Sequence, residues 1–288
     1  MRTVPSESEQ VEARRFVATD WLALCRRIVA AQQKLFDAAP SIAERTVYEG
    51  IGEGGDRALE LDRRCEDIVF AELEGLAAEG HEFVAVSEER GEVRFGDGDS
   101  AGRVVIDPID GSLNARRTIP GHALSIAIAS GDSMADVERG YVYDFGNGEE
   151  FVATRGEGAR LNGRELRAEG PGHGVEVVGL ESAEPSWILP AIEELRGKAF
   201  RIRSVGAIAI TLAYVAAGRF DGMLTARSCR SVDCAASQLI AREAGALVRF
   251  EGTELEDTPL GLDARYRLAA GLDTEALEVV LAAQADAG

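Results

Sequence analysis

Asp107 and Asp110 stand three positions apart in Val104-Val105-Ile106-Asp107-Pro108-Ile109-Asp110-Gly111-Ser112-Leu113-Asn114. The apolar run Val104–Ile106 reads as a buried strand that ends at Asp107. Pro108 removes a backbone donor and stiffens the turn. Gly111 permits a tight bend, and Ser112 suits the cap of a helix starting near Leu113. Two carboxylates on one turn can bridge neighbouring hard cations, which take oxygen ligands. The helix amides beside them can donate to phosphate oxygens. Metal, a phosphorylated ligand and a nucleophile can therefore share one turn, although an ordinary Asp-rich turn would fit the same residues.

Two more segments place acids in similar settings. The apolar run Phe83–Val86 leads into Ser87-Glu88-Glu89, which puts carboxylates at a second strand end. Asp233 opens a helical stretch, with the small residues Ala235 and Ala236 behind it permitting close packing. Either segment alone would be a surface acid or a plain helix cap. Arg227 and Arg230 precede Asp233 and suit a second phosphate on the ligand. No Ser-His-Asp arrangement is visible, and His81, His122 and His173 lie in unrelated contexts. Gly50, Gly52 and Gly55 match a dinucleotide fingerprint, but no strand precedes them, so a loop between helices is expected.

The elements that must position these groups follow from periodicity. Helices are expected over residues 8–38 and 58–78, with Cys25 and Cys65 on their apolar faces. Short strands follow at Phe83–Val86, Val104–Ile106, Leu124–Ala129, Gly140–Asp144 and Glu150–Ala153, forming a largely antiparallel sheet. The later third alternates. Strands Val175–Leu180, Phe200–Ile202, Phe220–Leu224 and Arg267–Ala270 each precede a helix, and strand Leu247–Phe250 follows one. The composition shift over residues 168–174 suggests two domains, 1–170 and 171–288. The first would be α+β and carry most of the acids. The second would be a smaller α/β unit supplying Asp233.

Composition narrows the function further. The 288 residues carry 31 basic and 50 acidic side chains, a net charge of -19, which argues against nucleic-acid binding. No apolar run is long enough to cross a bilayer, and the start has no secretory pattern, so a cytoplasmic location is expected. Cys25, Cys65, Cys229 and Cys234 fit no zinc module and read as buried thiols. Only Lys34 and Lys198 among the basic residues are lysine. An acidic, arginine-for-lysine surface fits a high-salt interior.

Taken together, SEE at 87–89, DPIDGSLN at 107–114 and VDCAA at 232–236 resemble the inositol monophosphatase family, which includes archaeal-type fructose-1,6-bisphosphatases. The hairpin-like GEGARLNG at 156–163 and RSVG at 203–206 are similar to the family's too, and the likeness covers about residues 56–250. It implies a layered αβαβα sugar-phosphatase architecture, two or three Mg2+ ions and a homodimer. Glu88, Asp107 and the Ile109 carbonyl would hold one ion, and Asp107, Asp110 and Asp233 a second. A third would sit near Glu88. The Gly111 and Ser112 amides would bind the phosphate, with Arg203, Arg227 and Arg230 on the substrate side. Asp62, Glu88 and Ser112 would form the catalytic set, with Asp62 orienting the Ser112 hydroxyl beside the attacking water.

The chain departs from the family pattern in three places. Val232 replaces a tryptophan, the residues before Asp62 lack a common lysine, and Ala226 stands where animal enzymes have an acid that contacts inositol. The expected substrate is a sugar or inositol phosphate, with fructose 1,6-bisphosphate and inositol 1-phosphate in view. A 3′-phosphoadenosine 5′-phosphate phosphatase and a non-catalytic metal- or phosphate-binding relative are the alternatives.

The charge balance yields a first test. At low ionic strength carboxylates repel over a Debye length of about 30 Å. The melting temperature should therefore rise steeply between about 0.1 and 3 M KCl, as read by scanning calorimetry. A flat profile would strip the acidic surface of any adaptive meaning.

Overall fold

The computed structural model describes residues 15–47, 60–96, 102–170, 172, 174–182 and 184–287. The glycine-rich segment at 50–55, the beginning of the expected 8–38 helix and His173 lie outside them. The first helix, α1 (Trp21–Ala38), buries Trp21, Leu24, Cys25, Ile28, Gln32, Leu35 and Phe36 as one stripe. The expected continuous helix is interrupted at Asp20, whose side chain accepts the Ala23 N–H at 3.1 Å and caps α1. A short helix, α2 (Ile42–Arg45), carries a Ser41–Glu44 capping box that the sequence reading passed over. Helix α3 (Glu60–Ala78) follows and buries Leu61, Cys65, Glu66, Val69, Phe70, Leu73 and Leu76.

Eight strands form the first sheet: β1 (Phe83–Ser87), β2 (Gly91–Phe95), β3 (Arg103–Asp110), β4 (Ala123–Ala129), β5 (Val137–Asp144), β6 (Glu149–Thr154), β7 (Gly158–Leu161) and β8 (Arg164–Leu166). Their order is β2-β1-β3-β4-β5-β6-β7-β8, with only β1 and β3 parallel. The second sheet holds β9 (Val175–Glu181), β10 (Ala199–Arg203), β11 (Gly222–Thr225), β12 (Leu247–Phe250) and β13 (Leu268–Gly271) in the order β10-β9-β11-β13-β12. There β10 and β11 run parallel to β9, while β13 runs antiparallel to β11 and β12.

Helices α6 (Ile208–Ala216) and α7 (Ser231–Glu243) lie between the two sheets, inside one apolar cluster that draws residues from both. Their burial matches their composition: α6 is apolar nearly all round, and α7 turns small residues such as Ala235, Ala236 and Ala241 into the core. Helices α1 and α3 cover the outer face of the first sheet. Helices α5 (Pro185–Leu195) and α8 (Thr274–Asp286) cover that of the second. The layers are α/β/α/β/α. All four cysteines are buried free thiols. Arg26–Glu150 and Arg219–Glu149 are two-pronged surface pairs at 2.6–2.8 Å, a geometry lysine cannot make. Among the described residues no helix is long and apolar enough to cross a membrane.

The seam between β5 and α7 fixes where Asp233 sits. Gly140 of β5 lies against α7 so closely that an added Cβ would meet the Ala236 carbonyl oxygen at 2.4 Å. Gly140→Ala should therefore push α7 outward and cost about 1–3 kcal/mol, measured by denaturant unfolding. An unchanged midpoint would mean the seam is slack.

Candidate metal centre

Strand β3 carries two of the expected ligands, and its irregularity aims them. On a regular strand, residues three apart point to opposite faces. Here the β3–β4 register shifts between Asp107, opposite Ser125, and Asp110, opposite Ala123. The bulge brings both carboxylates to one cleft of about 320 Å³, which Glu88, Ile109, Gly111, Ser112, Glu181, Arg230 and Asp233 also line. Asp107 Oδ1 accepts the Ile109 N–H at 3.0 Å, so the turn is locked by one of the ligands it presents.

Helix α4 (Ser112–Arg116) begins directly after Asp110. Ser112 was expected to cap it and does not. Gly111 is the cap, in the left-handed conformation at φ 79°, without any side-chain bond. Glycine is required there, because a Cβ would lie 2.6 Å from the Gly121 carbonyl oxygen. The Ser112 hydroxyl is thus left for the cleft. Asn114 closes the arrangement by donating to the carbonyls of Gly121 at 2.8 Å and Val205 at 2.7 Å.

Three other elements converge on this turn. Asp110 accepts N–H bonds from Ile208 at 3.2 Å and Ala209 at 2.8 Å, at the positive end of α6. Asp233, in the first turn of α7, accepts the Arg230 N–H at 2.7 Å. Glu88 follows β1, in a turn held by Glu66 of α3. The buried Glu66 carboxylate accepts the Ser87 hydroxyl and, at 3.2 Å, the Arg90 N–H. As a result, ligand oxygens of Glu88, Asp107 and Asp233 lie within 4.8 Å of one another. Asp110 stands in the same cleft, outside that triad.

A smaller pocket adjoins the triad. It has about 30 Å³, room for a water, and is lined by Asp62, Glu88, Glu89, Asp107, Pro108, Ile109 and Ser112. Asp62 Oδ1 is buried there without a hydrogen-bond partner. Burial, with Glu89 and Glu88 nearby, pushes the Asp62 carboxyl up to about 7. Burial also raises Asp107 well above the usual carboxylate range, reinforced by Asp110, Glu88 and Asp233. Asp110 is raised in the same way by burial and Asp233, against the α6 amides. Burial raises Asp233 too, opposed by Arg230. Buried oxygen donors that repel one another are the donor set hard divalent cations take, and such an ion would reverse each of these shifts.

Of the three arginines expected on the substrate side, only Arg230 lines the cleft. Arg230 turns inward, with Nη1 at 2.8 Å from Glu88 Oε1 and Nη2 at 3.2 Å from Asp233 Oδ1. Arg227 lies over the Trp187 ring at 5.0 Å from its centroid, and Arg203 bonds the Ile202 carbonyl. Neither lines the cleft. Val232 and Ala226 are fully buried, so these two of the three departures from the family pattern fall in the core rather than at a ligand. His81 and His122 pack among aromatic rings.

Two functional residues escaped the sequence reading. Glu66 lies four residues after Asp62, one turn further along the same helical face, and that spacing was the available signal. Glu181 ends β9 as an acid, as Glu88 follows β1. It accepts N–H bonds from Val205 at 3.0 Å and Gly206 at 3.0 Å and the Thr211 hydroxyl at 2.7 Å, which holds the loop facing Gly111.

The family model described as "Inositol monophosphatase family" matches residues 21–287. The chain belongs to the inositol monophosphatase family. A fructose-1,6-bisphosphatase/inositol-1-monophosphatase of Thermococcus kodakarensis is 33% identical over 250 residues, spanning 86% of this chain and 91% of that one. Nus factor SuhB of Pseudomonas aeruginosa is 35% identical over 202 residues, spanning 67% of this chain and 72% of that one. A solved inositol monophosphatase–fructose 1,6-bisphosphatase structure superposes with a TM-score of 0.79 at 28% identity, covering 92% of this chain and 100% of that one. Family and relatives together indicate a phosphatase, and the α/β/α/β/α layering is that of the solved inositol monophosphatases.

Proposed function

We propose that this protein hydrolyses a small sugar or inositol phosphate monoester, using magnesium and an activated water. One observation carries the reading: Glu88, Asp107 and Asp233 meet within 4.8 Å from three separate elements, beside the water-sized pocket lined by Asp62 and Ser112. Glu88, Asp107 and the Ile109 carbonyl would hold one Mg2+, and Asp107, Asp110 and Asp233 a second, with any third near Glu88. Bound there, magnesium supplies Lewis acidity, lowering the pKa of a water and balancing charge on the phosphate oxygens and leaving alkoxide.

The chain's own residues position the reaction. The Gly111 and Ser112 amides face the phosphate and fix its orientation. Asp62, whose Oδ1 is buried without a partner, would accept a hydrogen bond from the Ser112 hydroxyl, and Ser112 would in turn orient the attacking water opposite the leaving group. In-line attack of this kind forms no phosphoenzyme. The names of the relatives favour fructose 1,6-bisphosphate and inositol 1-phosphate as substrates. Arg203 or Arg227 would have to swing towards the cleft to contact a second phosphate. A cytoplasmic homodimer belongs to the same reading. The SuhB relatives support a second one, a binding protein without turnover.

Turnover of a phosphate-ester panel, with magnesium and after exhaustive chelation, separates the readings. Hydrolysis only with the metal is expected, and full activity after chelation would reject the first. Asp107→Asn is the cleaner ligand test, because its oxygen can still accept the Ile109 N–H. It should lower kcat at least about 100-fold while leaving the metal-free melting temperature unchanged or higher. Asp110→Asn should lose activity and also stability, by about 1–3 kcal/mol, because its NH2 would face one of the two α6 N–H groups that the carboxylate now accepts.

A further inference from the structure

We infer that the Arg230 guanidinium is a built-in cation that competes with divalent ions for Glu88 and Asp233, and so sets the metal affinity of the site. The inference rests on the metal-centre reading above. Five carboxylates, Glu88, Asp107, Asp110, Glu181 and Asp233, line the cleft, and Arg230 is the one basic side chain among its lining residues. Its two terminal nitrogens take one oxygen each from Glu88 at 2.8 Å and Asp233 at 3.2 Å. Those two acids belong to different proposed ion positions, so a single planar group spans both.

The same contacts argue against a substrate role for Arg230. To pair end-on with a second phosphate, through Nη1 and Nη2, the guanidinium would have to turn away from both carboxylates. Its backbone is already fixed, because the Arg230 N–H donates to Asp233 Oδ2 at 2.7 Å. That bond involves no side-chain atom of Arg230, so it survives replacement of the side chain. Arginine stays charged at any working pH. It therefore offsets the mutual repulsion of the acids when no metal is bound. A divalent ion arriving within a few ångströms meets either a repelling charge or ligands that must first be released.

Isothermal titration of Mg2+ into metal-free wild type, Arg230→Gln and Arg230→Lys, in one high-salt buffer, tests this, with metal-free melting temperatures measured alongside. Arg230→Gln should bind magnesium at least about tenfold more tightly, since a like charge has gone. Its metal-free form should melt lower by about 3 °C or more, because the acids have lost their counter-charge. Arg230→Lys should fall between, keeping the charge but losing the planar two-nitrogen fork that now holds both carboxylates. If Arg230→Gln proves too unstable without metal, Arg230→Lys carries the comparison alone. Affinity equal to or weaker than wild type overturns the inference while leaving the metal centre intact. A wild type that binds no magnesium overturns both.

Discussion

The rest of the structure answers to one constraint, the gathering of like-charged carboxylates into a largely buried cleft. Asp107 and Asp110 are nearly inaccessible to solvent and Asp233 is largely covered, and burying unpaired charge is among the costliest things a fold can do. Each acid is accordingly tied to a donor on a different piece of chain. Asp110 takes the first amides of α6, Asp107 its own turn, and Asp233 the backbone of the residue that caps α7. These bonds hold the ligands in place without neutralising them. Apart from one guanidinium, the remaining charge is left for cations.

The layering follows from that requirement. Helices α6 and α7 must point their positive ends and first turns at the strand end carrying Asp107 and Asp110. They can do so only if they lie between the sheets, where both faces of each helix are covered. This explains their small and aliphatic side chains and the contact between Gly140 and Ala236. Two further buried acids work at a distance. Glu66 sets the turn that presents Glu88, and Glu181 sets the Val205–Gly206 loop against Gly111. The site is therefore braced from α3 on one side and β9 on the other.

Much of this was legible in the sequence. The Asp107–Asn114 motif, the acids after β1 and the opening of α7 are local patterns, and each lands in the cleft. The helices and strands were legible in the changes of period, and the layered architecture in the family resemblance that the motifs carry. What was not legible depends on partners far apart in the chain. Asn114 bonds Val205, 91 positions away, and Ser87 bonds Glu66. The cap of α4 was misread because a close approach to Gly121, invisible locally, demands glycine at 111. Arg230 was read as a substrate-side residue, since nothing nearby in the chain shows that Glu88 comes within reach of it.

Anomalous diffraction from crystals soaked in Mn2+ tests the central claim most directly, because manganese takes the same oxygen ligands as magnesium. The account requires one peak between Glu88 and Asp107, beside the Ile109 carbonyl, and another among Asp107, Asp110 and Asp233. A fully soaked crystal with no anomalous density at these carboxylates would contradict it. The cluster would then be a buried ion-pair network held by Arg230 rather than a metal centre.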